Sequence, residues 1–190
     1  MSYDDPGWMP AIKRAWRYIL FPAWPVQRPR PGDNPLIALR TVFLSSLLAL
    51  AVVGNVLTFV EPDGPPRFGT LHWFIAAYAV VGSVGGVAWA RRRSIVVTDV
   101  QTVAGSYRGL VLISFGLAHS VALMGFVLVF ITGYRWTFAA GLGVALPLLA
   151  LVAPTRADIE RRQRQVTAAG SAVSVSRAVQ DVPMKEGRAR

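Results

Sequence analysis

Polar and apolar positions along this chain separate into blocks instead of alternating. Four apolar blocks stand out, at residues 36–60, 71–90, 110–132 and 136–153. About 20 residues of helix cross the hydrocarbon of a bilayer. Each block can therefore form a span, the fourth being short but bounded by Trp136 and Pro154. All ten acidic residues (Asp4, Asp5, Asp33, Glu61, Asp63, Asp99, Asp158, Glu160, Asp181 and Glu186) fall outside these blocks. Charge in hydrocarbon is costly, so this segregation is the mark of a polytopic chain. The pattern predicts an all-α membrane protein, with a four-transmembrane-helix bundle of two hairpins over residues 36–154.

The basic residues orient the bundle. Lys13, Arg14, Arg17, Arg28 and Arg30 precede the first block, and Arg40 stands at its start. Arg91, Arg92, Arg93 and Arg108 flank the middle connection, and Arg156, Arg161, Arg162 and Arg164 follow the fourth block. The other two connections, 61–70 and 133–135, hold only Arg67 and Arg135. By the positive-inside rule both termini are cytoplasmic, which predicts a multi-pass protein of the cell (plasma) membrane. The first apolar run begins at Leu36, too late and too long for a cleavable signal peptide, and is expected to be retained.

The cytoplasmic leader, residues 1–35, holds "MPAIKRAWRYILFPAWP". Ile12, Ala15, Trp16, Ile19 and Leu20 share one helical face, and Lys13, Arg14 and Arg17 lie off it. Pro10 suits a helix start, while Pro22 and Pro25 end it. Two placements stay open for this N-terminal amphipathic helix. It can lie in the interface with Trp8, Trp16 and Trp24 as anchors, or pack under the bundle. Residues 26–34, "VQRPRPGDN", read as a stiff linker. In the basic tail, residues 155–190, Thr155 can cap a short helix, "TRADIERRQRQ", with Asp158 in its first turn. Beyond Val166 no apolar stripe is evident and disorder is expected.

Composition sharpens this picture. Hydrophobic residues make up 53% and charged residues 16%, with a mean hydropathy of +0.43. The net charge of +10 is accounted for by residues that flank apolar blocks, so nucleic acid is not the expected partner. Without cysteine there are no disulfides, thiol catalysis, cysteine-type zinc sites or cysteine-held clusters. Small residues recur at close-approach spacing: Gly82 and Gly86, Gly116 and Ser120, Ala118 and Ala122, Ala139 and Gly143. They serve packing within one bundle or between copies. Pro147 is expected to kink the fourth span.

The polar groups at depth within the blocks are few: Ser45, Ser46, Asn55, Tyr78, Ser83, Ser114, His119 and Ser120. At about 1.5 Å per residue, Ser46 and Tyr78 match the depth of His119, with Ser83 next. These make His119, Tyr78 and Ser46 the candidate proton-handling or ligand-binding set, because imidazole titrates near neutral pH. Arg91, Arg92 and Arg93 are candidates for lipid head-group contact. His72 and His119 differ by about 15 Å in depth on the same rise, so one subunit cannot hold a bis-histidine haem. One histidine without a nearby acid or cysteine does not make a metal centre. His119 and Ser120 point different ways on a helix, which excludes a base–nucleophile pair. No enzyme activity, cofactor or metal is expected.

In "FGLAHSVALMG", Gly116, Leu117 and Ala118 precede His119, and Gly125 follows six residues later. This stretch resembles the carboxylate-bearing second helix of subunit c of F-type ATP synthases. Residues 107–165, with "APTR" after the fourth block, resemble uncharacterised four-span membrane proteins of actinobacteria with subunit c-like character. His119 stands where the family has its ion-binding acid, and no block contains an acid, so the resemblance implies no rotary ion translocation. The expected role is a structural or accessory component of a membrane complex, or of a homo-oligomer, with the lipid bilayer as partner. A transporter or proton relay using His119 is the alternative, and a lipid- or ligand-sensing bundle the third.

Overall fold

The computed structural model describes residues 5–20, 34–60 and 69–182, except the side chains of residues 18–20. The linker at 26–33, Trp24, most of the 61–70 connection and the last eight residues lie outside them, as do the side chains of Ile19 and Leu20 on the amphipathic face. Among the described residues the chain is all-helical: α1 (Met9–Leu20), α2 (Pro35–Phe59), α3 (Thr70–Arg92), α4 (Val100–Thr132), α5 (Trp136–Val152), α6 (Arg156–Ala168) and α7 (Val175–Asp181). Helices α2, α3 and α4 are each long and apolar enough to cross a membrane. A fourth is reached if α5 and α6, bent by 56° at their junction, count as one span. Among the described residues there are thus three or four helices with the length and hydropathy of a multi-pass membrane protein.

Local sequence explains most helix ends. Asn34 caps α2: its Oδ1 accepts from the Leu36 amide at 3.0 Å, and Pro35 takes the first helical position, where a missing N–H costs nothing. Asp99 caps α4 through the Thr102 amide at 2.7 Å. That bond is the main reason the Asp99 carboxyl sits below its ordinary range. Thr155 caps α6 through the Asp158 amide, as the sequence predicts. Gly133 (φ +74°) and Gly170 (φ +81°) close α4 and α6 in the left-handed region, which a Cβ disfavours. The Gly133 amide reaches the Val129 carbonyl at 2.8 Å, which turns the chain into α5 within three residues. α5 runs unbroken through Pro147. The break comes at Ala153 (φ −54°, ψ 136°), the residue that Pro154 pushes out of the helical region.

Two compact units divide the chain. The first comprises Met1–Ser46, Ser94–Gly109 and Pro154–Arg190. Its buried side chains include Ala11, Ala15, Leu36, Leu39, Val103, Ala104, Tyr107, Ile159 and Val166. α1 therefore buries small residues, while Trp16 remains 55% exposed. The expectation of disorder beyond Val166 needs correcting for residues 167–182. Val175, Ala178 and Val179 form a short i, i+3, i+4 stripe and are fully buried. Gln163 fixes this segment from both sides: its Oε1 accepts from the Val175 amide at 2.7 Å and its Nε2 donates to the Val173 carbonyl at 3.2 Å. The stripe escapes a sequence reading because it is one turn long and embedded in Ser, Arg and Gln.

The second unit comprises Leu47–Arg93 and Leu110–Ala153. Its core includes Leu57, Val129 and Phe138, flanked by Val53, Phe126 and Leu142. Helices α4 and α5 touch backbone to backbone. A Cβ on Gly125 would stand 2.6 Å from the Thr137 carbonyl oxygen, and one on Gly141 would stand 2.8 Å from that of Val121. Thr137 ties this crossing by donating to the Gly125 carbonyl at 3.1 Å. Of the small-residue pairs read from sequence, Ala118 and Ala122 are fully buried. Gly86 would meet Leu117, whereas Gly82, Gly116 and Gly143 face open space.

Candidate functional site

His119 lies on α4 in the second unit. Its ring packs against Phe115, with centroids 5.6 Å apart. Its Nδ1 is buried and has no hydrogen-bond partner. The expected neighbours are not supplied. Tyr78 projects from α3 with 82% of its surface exposed, and no hydrogen bond joins it to His119. Ser46 is half-buried at the end of the first unit. Spacing along a span does not fix the face on which a side chain emerges. Ser83, ranked behind them, is buried and pairs with Ser120 at 3.1 Å. Ser120 also donates to its own helix at Leu117. Among the described residues, no group of three or more His, Cys, Asp or Glu is arranged to hold a metal ion.

Arg91, Arg92 and Arg93 end α3, where cations complement the negative end of the helix dipole. They diverge in use. Arg91 donates to the carbonyl of Leu151, in the last turn of α5, where carbonyls lack helical partners. The guanidinium of Arg93 lies 4.8 Å from the Trp89 ring centroid. Arg92 is exposed.

The densest polar constellation is one that sequence reasoning did not single out. Arg40, on α2 in the first unit, is fully buried. Its Nη1 and Nη2 donate to both carboxylate oxygens of Asp5, at 2.6 and 2.9 Å. Nη1 also reaches the Gly7 carbonyl at 2.7 Å, and Nε reaches that of Pro154 at 3.0 Å. The Trp8 ring covers the guanidinium, 5.0 Å to the centroid, and itself meets Phe43 edge-on at 5.9 Å. Planar bidentate pairing is the strong form of the ion pair. The hydrogen bond from Arg40 is the chief reason the Asp5 carboxyl is held below its ordinary value of 3.8. Arg108, half-buried on α4, donates to the carbonyls of Val179 and Val182 at the C-terminal end of α7. Thus two arginines that serve as topology signals in the sequence also fasten the leader and the tail. The only sequence hint is an arginine inside an apolar run, at Arg40, which must find partners.

Chemically, the first unit offers an ionic clasp that holds segments distant in sequence. The second offers the buried imidazole nitrogen of His119, a serine pair and apolar surface. No protein-family model matches the chain, and no curated protein or solved structure matches it either.

Proposed function

We propose that this chain is a four-span bundle of the cell membrane with both termini in the cytoplasm, acting as a structural or accessory component of a larger membrane assembly or a homo-oligomer. The observation that carries the reading is the unpacked face of α3. Only 17% of its most apolar window is buried, against 33% for α2 and 39% for α4. On it Gly82 and Gly85 have nothing within 4 Å of where a Cβ would sit. Small residues on an open span let a partner helix approach closely. The orientation draws support from the first unit, which gathers the leader, the middle connection and the tail, the three segments that the positive-inside rule assigns to the cytoplasm. In this reading α1 lies at the cytoplasmic interface with Trp16 toward lipid, and α5 is the fourth span. The basic residues serve topology and internal clasps, and nucleic acid is not a partner. The likeness of residues 116–125 to subunit c is taken as a likeness of packing, since Gly125 sits at the α4–α5 crossing.

Affinity purification in mild detergent, followed by native electrophoresis, tests the role. A complex larger than the monomer is expected, weakened by Gly82→Leu with Gly85→Leu. Recovery of the monomer alone from wild type refutes it. Single cysteines, introduced into a chain that has none, report which termini face the cytoplasm.

One observation favours a second reading, a proton relay. The buried, unpartnered Nδ1 of His119 is a group in search of a proton or a ligand. Unchanged proton or solute flux for His119→Leu in proteoliposomes would remove this reading.

A further inference from the structure

Within the second unit, α3, α4 and α5 border a cleft of about 400 Å³. The reason it exists is legible in the residues. Ala76 and Ala77 on α3 and Ala140 and Gly141 on α5 are too small to fill the space between their helices, and Val121 and Leu128 of α4 also line it. The volume falls within the range of pockets that hold small ligands. Nearly all of its lining surface is apolar, which suits a hydrocarbon.

One end of the cleft is marked by two indoles. Trp73 and Trp136 lie with ring centroids 6.5 Å apart, and both are about half exposed. Indoles of this kind favour the boundary between hydrocarbon and headgroups. Beside Trp136 stands Arg135, exposed, with one of its five donors given to the Val60 carbonyl at 2.7 Å. A phosphate diester at that boundary is the natural complement of a guanidinium. From Trp136 to Val144 the lining runs about 12 Å along α5, enough for the part of an acyl chain nearest its headgroup.

We infer that the α3–α5 cleft takes one acyl chain of an anionic phospholipid, with the phosphate of that lipid at Arg135. The site differs from the basic end of α3 at Arg91, Arg92 and Arg93. It is independent of the accessory role and rests only on the helices lying in a bilayer. A bound chain would complete the packing of α3, the least buried of the membrane-length helices.

The test uses the full chain in nanodiscs containing phosphatidylglycerol with a photoreactive diazirine on one acyl chain, and separately the phosphatidylcholine analogue. After irradiation, adducts are mapped by mass spectrometry. Adducts are expected to concentrate on peptides covering residues 73–81 and 136–144, above the level on the exposed apolar residues Val52, Val56 and Phe59 of α2. Ala140→Phe, which fills the cleft, should lower them several-fold and leave α2 labelling unchanged. Ala77→Leu fills the opposite wall and replaces Ala140→Phe if that variant does not fold. Arg135→Gln should lower labelling by phosphatidylglycerol and not by phosphatidylcholine. Even labelling of all lipid-facing helices, insensitive to the filling variants, overturns the site. Equal labelling by the two lipids overturns the headgroup assignment.

Discussion

Removing the carboxylate of Asp5 should undock the N-terminal segment from α2. In Asp5→Asn the fully buried Arg40 guanidinium keeps the carbonyls of Gly7 and Pro154 and the face of Trp8, and loses both charged acceptors. Breaking a fully buried ion pair costs about 3–5 kcal/mol, because the surviving charge is left uncompensated. An exposed pair is worth about 0–1 kcal/mol. Here the arginine side chain is 0% exposed and the aspartate 17%, so the pair lies nearer the buried limit. The two remaining carbonyls soften the loss, and about 2–3 kcal/mol is expected, or roughly 30- to 150-fold in the population of the undocked state. Lys13, Arg14 and Arg17 on α1 provide the readout. Trypsin cuts after them only when α1 opens, and under fast reclosing the rate tracks the open population. Cleavage at these three positions, quantified by mass spectrometry, should rise by that factor in Asp5→Asn. Arg40→Met should cost less, since Asp5 lies near the surface and can rehydrate. The double variant should resemble Arg40→Met, with a coupling energy of about 1 kcal/mol or more. A cleavage rate in Asp5→Asn equal to wild type, with a coupling energy near zero, refutes the clasp.

The same clasp gives a pH dependence. The Asp5 carboxyl is held below 3.8 in the folded chain, so its contribution is fully present above that value and fades as pH falls through the lowered one; cleavage by an acid-active protease should show loss of docking only in that acidic window. Gly141→Ala should destabilise by about 1–3 kcal/mol, because the new Cβ meets α4 backbone and the helices must part. Gly143→Ala, which meets nothing within 4 Å, should melt no lower than wild type in the same detergent. Arg108→Gln should free the C-terminal end of α7, costing about 1–2 kcal/mol for two charge-assisted bonds. Hydrogen exchange across residues 175–182 should then accelerate about tenfold or more.

The helical content and the membrane-length runs are readable directly, because hydropathy acts over 20 residues at a time and needs no partner. Blocks 36–60 and 71–90 coincide with α2 and α3 to within two residues at each end. α4 begins ten residues before its apolar block, at the Asp99 cap, since Gly105, Arg108 and Gly109 dilute the hydropathy there without breaking the helix. The Thr155 cap is equally local and equally legible. Faces and partners are another matter. His119, Tyr78 and Ser46 are expected at one depth from the sequence, yet Tyr78 is largely exposed, and Ser120, which the sequence offers as a packing residue beside His119, is the one that pairs with Ser83. The glycines that carry the tightest crossing, Gly125 and Gly141, belong to none of the spaced pairs read from the sequence. Which helix meets which, and at what rotation, is set by the joint packing of all the helices, and no single run encodes it.

By itself, then, the sequence determined where the chain can enter a bilayer, where most of its helices start and stop, and which residues carry charge at the edges. Only the tertiary structure decided what those charges do. Arg40 and Asp5 are 35 positions apart, and Arg108 and Val179 are 71. Pairing at such separations depends on three-dimensional closure of the chain. Burial then decides the energy, because a guanidinium out of water must find acceptors wherever the fold brings them.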